Sequence, residues 1–409
     1  METPNPELAI VMSGGGARAA YQVGLLQALA ERVPDLRVPI LTGVSAGAIN
    51  AAHLANHPDG FAEAIDDLRR LWLGLTTEDV FRTDWWSLFT HVVRSGLQLV
   101  SGGHRVPGAS RGMVDTKPLR AFLHRSLGAD AESGELRGVR ENLAAGKLRA
   151  VAITSSSYST GTSMTWVEGA EMIGWRRAHR VGRGCRLSVE HVMASASLPL
   201  FFPAVALEGE WHGDGGIRLT APLSPAIHLG ARRILAVSTR HQPPAAQVPA
   251  TMIDGYPPPA QIAGALLNAL FLDQFDGDAL RLQRVNELLP SGEERKGVKP
   301  IELLMIRPSR DLGSLANAYE AKLPRGFRFL TRGLGTRQTR SNDLLSLIMF
   351  QHDYLRDLVA LGRADALERI DEVVGFVRGG SFAPRSAGVN NEPDLPRTHA
   401  FVETKRQES

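Results

Sequence analysis

The pentapeptide Gly43-Val44-Ser45-Ala46-Gly47 stands only 29 residues after the triple glycine Gly14-Gly15-Gly16, and the two clusters together leave the N-terminal chain few ways to fold. Each closes an apolar run, Leu8–Met12 and Val38–Thr42, of the kind that forms a buried strand. Each opens a stretch of helix formers, Ala17–Arg32 and Ala46–Asn56, closed by Pro34 and by His57-Pro58. Strand, tight turn and helix twice in succession predict a parallel α/β sheet. Further strands are expected at Leu148–Ser155, Met164–Glu168, Ala204–Glu208, Arg233–Thr239 and Ile301–Ile306. Helices are expected at Thr116–Leu127, Val189–Ser197, Pro222–Leu229 and, as one long element, Gln261–Leu289.

The pentapeptide offers a nucleophile. In a strand-to-helix elbow Ser45 takes the apex, and Gly43 and Gly47 keep side chains out of the crowded turn. The helix opening at Ala46 aims its partial positive charge at the serine oxygen. The Gly14–Gly16 turn, also before a helix, presents free N–H groups that can cradle an anion. Two anions fit such a cradle, an oxyanion and a phosphate. A dinucleotide site needs an acidic residue at the end of its second strand. Asp35 lies before that strand, and the strand runs into Ser45 instead, which favours the oxyanion. Arg18, close behind the glycines, reads either as a group polarising the site or binding a phosphate, or as a surface arginine.

A serine needs a base. His179, His191, His212 and His228 sit in no telling local pattern. His212-Gly213-Asp214-Gly215-Gly216 does: flanking glycines let an aspartate carboxylate project into a cleft and accept the serine proton. The same Asp-Gly pair equally suits an ordinary hairpin turn. A Ser-His-Asp carboxylesterase and a non-catalytic nucleotide-binding module on the Gly14–Gly16 turn stay open as rivals.

Composition narrows the field. Formal charge is +3, from 46 basic and 43 acidic residues among 409, with no basic run of the kind that binds nucleic acid. The single cysteine, Cys185, can form neither an internal disulfide nor a thiolate metal site. No apolar run approaches the ~20 residues needed to span a bilayer, and the start lacks a signal-peptide pattern. The expectation is a cytoplasmic chain whose membrane contact, if any, is peripheral, on the inner face. The oligomeric state is not legible. Residues 72–112 break the α/β rhythm with Trp72, Phe81, Trp85, Trp86 and Phe89, as a helical insertion packed on the core or as a lipid-facing lid.

Taken together, these residues resemble patatin-like phospholipases, lipid acyl hydrolases with a Ser–Asp dyad. Ser13-Gly14-Gly15-Gly16-Ala17-Arg18 resembles the family's glycine-rich loop, except that Ala19 stands where a glycine is usual. Gly43 to Asn50 is similar to its nucleophile block, and Asp214-Gly215-Gly216 to its aspartate motif. Ala194 to Pro203 resembles the segment before that aspartate. The resemblance implies a three-layer α/β/α fold with a mainly parallel sheet, and Ser45 and Asp214 as the catalytic pair. It further implies an oxyanion hole from Gly14, Gly15, Gly16 and Ala46, support from Arg18, Gly43, Gly47, Gly215 and Gly216, and a lipid or acyl-ester substrate. No cofactor or metal is expected. The domain reading is a catalytic domain over 1–309 with its motifs in 8–229, a helical C-terminal extension over 310–380, and a disordered tail over 381–409.

Overall fold

The computed structural model describes residues 7–82, 114–170, 174–199, 201–242, 256–289 except 272, 299–323, 328 and 341–380. Its centre is a ten-stranded sheet. The strands are β1 (Leu8–Met12), β2 (Ile40–Val44), β3 (Ala150–Ser157), β4 (Ser163–Gly169), β5 (Trp175–Arg177), β6 (Arg180–Gly184), β7 (Val205–Leu207), β8 (Glu210–Asp214), β9 (Arg233–Val237) and β10 (Glu302–Ile306). They run in the order β10-β9-β1-β2-β3-β4-β6-β5, with β8 on β3 and β7 on β8. The run from β10 to β3 is parallel throughout. β4 then pairs antiparallel with β3.

Every residue of β1, β2 and β3 is buried, as expected where helices cover both faces of a parallel sheet. Alternation divides β1 between two cores. Leu8, Ile10 and Met12 face the helices α1 (Ala20–Arg32), α2 (Ala46–Asn56) and α3 (Phe61–Gly74). Ala9 and Val11 face the opposite layer, with Ala226 of the helix Ser224–His228 and Phe275 of the helix Asp273–Leu288. The result is a three-layer α/β/α fold. The helix His352–Glu368 lies along α1 in the first core, where Leu355, Leu358 and Val359 are buried with Tyr21, Leu25 and Leu29.

The pairing of β3 positions the site. Residues Ala150–Thr154 pair with β2, ending at Val44↔Thr154. Beyond that point β2 has turned away at Ser45, and β8 takes its place, beginning at Ser155↔Asp214. Asp214 thus enters the sheet one β3 residue past the end of the strand that delivers Ser45, although it lies 169 residues later in sequence.

The structure departs from the sequence expectations in a few places. β5, β6 and β8 form strands where none was expected, and the hairpin β5–β6 extends the sheet edge with Arg176, Arg177 and Arg183. The helix expected over Gln261–Leu289 is helical over Pro259–Phe271 and Asp273–Leu288, on either side of residue 272, which lies outside the described residues. In the aromatic segment Trp72 and Phe81 are core residues. The rest of its aromatics, Trp85, Trp86 and Phe89, lie outside the described residues, as does the tail 381–409.

Candidate active site

Ser45 is one of few non-glycine residues with positive φ (56°, with ψ −130°), immediately before the first turn of α2. That conformation is strained for a side-chain-bearing residue and recurs where function requires it. The neighbouring glycines are sterically obligatory. A Cβ on Gly43 would meet the Gly47 carbonyl oxygen at 2.3 Å, and one on Gly47 would meet the Met12 and Ser13 oxygens at 2.4 Å. The elbow is braced by Ser195: the Ser45 N–H donates to its Oγ (3.0 Å), and that hydroxyl donates to the Thr154 carbonyl (2.6 Å).

Asp214 is fully buried. Its N–H donates to the Ser197 carbonyl (2.9 Å), and its Oδ1 accepts from the Gly216 N–H (2.9 Å). Oδ2 has no hydrogen-bond partner of ordinary geometry, yet the Ser45 hydroxyl is near enough to help hold the carboxylate ionised. Burial outweighs the Ser45 hydroxyl and the Gly216 amide and pushes the Asp214 pKa up to about 7. Gly215 fits against the strand end, where a Cβ would come within 2.0 Å of the Thr154 oxygen.

The glycine loop faces the same point. A Cβ on Gly14 would lie 3.0 Å from Ser45 Cβ, and Gly15 and Gly16 both have positive φ, 143° and 54°. The backbone amides of Gly15, Gly16 and Ala46 have no acceptor among the described residues. A buried relay fixes the loop from behind. Thr239 Oγ1 donates to the Gly14 carbonyl (2.7 Å), and Gln22 Nε2 to the Ser13 carbonyl (2.8 Å). Asn50 Nδ2 donates to Gln22 Oε1 (2.9 Å), and the Trp72 indole to Asn50 Oδ1 (2.7 Å).

Gly15, Gly16, Ser45 and Ala46 form one wall of a pocket that is otherwise apolar, with Ile49, Leu68, Trp72, Phe122, Phe202 and Leu347 among its lining. Among the described residues, His53 and Ser126 are the hydrophilic side chains that line it besides Ser45. His53 is held neutral by burial, its pKa lowered to about 4. Its Nε2 donates to the Ala64 carbonyl at 3.2 Å.

The model of the family described as patatin-like phospholipase matches residues 10–227, more than half of the chain. The chain belongs to the patatin-like phospholipase family. Membership places it among hydrolases of lipid esters. A comparison with curated proteins found no match. Among solved structures, VipD from Legionella pneumophila is 14% identical, aligned over 88% of this chain and 67% of VipD, with a TM-score of 0.34. Human GIVD cytosolic phospholipase A2, solved in complex with methyl gamma-linolenyl fluorophosphonate, is also 14% identical, over 91% of this chain, with a TM-score of 0.44. The chain spans 59% of that human protein's length.

For this patatin-like chain, the structure brings together Ser45, Asp214, the three glycines and Ala46. It gives Arg18 neither of its two local readings, a group in the site or a surface arginine. Arg18 is 3% exposed, so it is no surface arginine, and its guanidinium is engaged. It pairs with Asp343 (2.6 Å) and donates from Nε to Ser346 Oγ (2.7 Å), both on the helix Asp343–Ile348. The histidines considered as bases lie elsewhere: His212 Nδ1 contacts Ser155 Oγ (3.1 Å), and His191 Nδ1 contacts Ser188. Ser195, Gln22, Asn50, Thr239 and Asp343 were not singled out by sequence. Only Ser195 and Asn50, inside matched motif blocks, carried any signal. Among the described residues, His53, His57 and Asp67 place potential metal-ligand atoms within 4.8 Å of one another. No helix there is long and apolar enough to cross a membrane.

Proposed function

We propose that this patatin-like protein hydrolyses fatty-acyl esters of phospholipids or related lipids through a Ser45–Asp214 dyad. The observation that carries the reading is the β2-to-β8 exchange on β3, which sets an elbow serine beside a buried carboxylate of raised pKa. In the proposed reaction Ser45 Oγ attacks the ester carbonyl carbon while Asp214 takes the hydroxyl proton. The amides of Gly15, Gly16 and Ala46, with Gly14 shaping the loop, hold the tetrahedral oxyanion. Collapse expels the alcohol, which leaves with the proton from Asp214, and the acyl group stays on Ser45. Water then attacks the acyl-enzyme, again giving its proton to Asp214; collapse expels Ser45 Oγ, which takes that proton back from Asp214 as the fatty acid departs.

The apolar pocket opening beside Ser45 supports a long acyl chain as the group held. The same lining speaks against a phosphate at the Gly14–Gly16 turn, because Arg18, the cation just behind it in sequence, is already paired with Asp343. A Ser-His-Asp triad finds no histidine beside Ser45 among the described residues. His53, in the same pocket, is eight residues further along α2, about 12 Å by helix rise.

The test is a lipid hydrolysis profile of the native protein, Ser45→Ala and Asp214→Asn, with fluorophosphonate labelling read by mass spectrometry. The expected outcome is label on Ser45 and activity at background in both variants. Full activity in Asp214→Asn would end the dyad assignment.

A further inference from the structure

The helix Pro259–Phe271 is amphipathic in the wrong sense for a water-soluble surface. Its thirteen residues carry no charge. Ile262, Leu266 and Leu270 are 44%, 61% and 36% exposed, and Ala265 and Ala269 are exposed between them. These positions, spaced i, i+3, i+4, i+7 and i+8, make one continuous apolar stripe turned to solvent. The inward face holds Gln261, Gly264, Leu267, Asn268 and Phe271. Gln261 Oε1 and Asn268 Oδ1 are buried there without a hydrogen-bond partner among the described residues. A helix packed on a globular core ordinarily shows the opposite arrangement.

The helix that carries the stripe ends at the site. Phe271, at the end of the helix, lines the pocket that holds Ser45. A Cβ on Gly216, two residues from Asp214, would lie 2.1 Å from the Phe271 ring. Gly264 sits over Asp343, the carboxylate that pairs with Arg18. Tyr256, 90% exposed, stands just before the helix, with the ring-and-hydroxyl character of residues found at bilayer interfaces.

We propose that the Ile262–Leu266–Leu270 face docks on a lipid bilayer and hands the acyl chain directly from the membrane to the pocket. The proposal rests on the lipid-ester reading above for its substrate, not for its docking chemistry. Thirteen helical residues span about 20 Å, too short to cross a bilayer but enough to lie in its interface. A strip about 20 Å by 10 Å is well below the ~800 Å² per partner that a stable protein interface needs. Its outward positions also carry no hydrogen-bonding side chain to orient a protein partner. A bilayer requires neither. Docking here is driven by apolar area, so it is insensitive to salt and needs no anionic lipid.

The test is co-sedimentation of the full chain with phosphatidylcholine vesicles, alongside hydrolysis of the vesicles and of soluble 4-nitrophenyl butyrate. The wild type is expected to partition onto vesicles equally at low and high salt. The double variant Ile262→Glu, Leu266→Glu is expected to lose at least tenfold in partition and in vesicle hydrolysis, while butyrate turnover stays within twofold. Ala265→Glu, a smaller change on the same face, gives an intermediate loss. Leu288→Glu, exposed but on the next helix, changes neither. Ser45→Ala partitions like the wild type, so failure of the catalytic reading shows in turnover and failure of the docking face in partition. Wild type that stays in the supernatant, or a double variant that partitions unchanged, overturns the proposal. So does a dimer that the double variant splits without any vesicle binding, which assigns the stripe to a second copy of the chain.

Discussion

A carboxylate sealed from water with no cation beside it keeps its proton until about pH 7, and Asp214 is in that position. As the proposed base it works only when deprotonated, so kcat/KM is expected to rise with pH through about 7 and level off above it. A rate profile on a soluble ester checks this. A limb near pH 4 would mean that the reacting carboxylate is a solvated one. The same burial has an opposite effect on stability. The folded-state pKa is about 7 against an ordinary 3.8. Between those values the native state holds a proton that the unfolded chain has released, so stability falls as pH rises through the window. Asp214→Asn removes the buried charge and keeps an oxygen for the Gly216 amide. It is expected to lower kcat by about 10³ while raising the melting temperature by a few degrees at pH 8, with the gain shrinking toward pH 4. Thermal scans at the two pH values show whether function and stability oppose each other at this residue.

At the scale of elements, the Gly14–Gly16 loop is held by a helix more than three hundred residues away in sequence. Arg18 reaches into the helix Asp343–Ile348, and a Cβ on Gly16 would come within 2.1 Å of the Leu347 carbonyl of that helix. Asp343→Ala leaves the Arg18 guanidinium buried without its carboxylate. We expect a loss of about 3 kcal/mol in urea unfolding. We also expect kcat to fall tenfold or more with KM little changed, because the loop's amides, as the proposed oxyanion donors, would act chiefly on the transition state. The elbow itself was legible in the sequence: glycines at 43 and 47 around a serine, after an apolar run, leave little freedom. Strand β8 was not. Glu210-Trp-His-Gly-Asp214 has neither a clean alternation nor an apolar run. It is a strand because the far end of β3 needs a partner once β2 has turned away. The edge strand β5 and its neighbour β6 escaped notice for a related reason, since arginines near an exposed edge dilute the apolar signal.

Across the whole molecule, the C-terminal helices belong to the same core as the motif-bearing half. α1 and the helix His352–Glu368 meet backbone to backbone through a reciprocal glycine pair. A Cβ on Gly24 would lie 1.9 Å from the Val359 oxygen, and one on Gly362 would lie 2.0 Å from the Tyr21 oxygen. Gly362→Val is therefore expected to cost about 3 kcal/mol or more by forcing the helices apart. A chain ending at residue 309 is expected to lack cooperative unfolding and esterase activity, because Leu25, Leu29 and the Arg18 anchor lose their cover. Calorimetry of the truncated and full chains decides this.

The sequence by itself determined the elbow, the glycine loop and the parallel α/β class, because glycine placement and apolar periodicity are local properties that act within a few residues. Only the tertiary structure decided that Asp214 is a sheet residue beside Ser45 rather than the tip of a hairpin. It also decided that Arg18 is committed to Asp343, and that an uncharged helix turns its apolar side outward next to the pocket. Each of these depends on which distant segment completes a strand, a charge or a packing face, and a chain's local pattern carries no record of that partner.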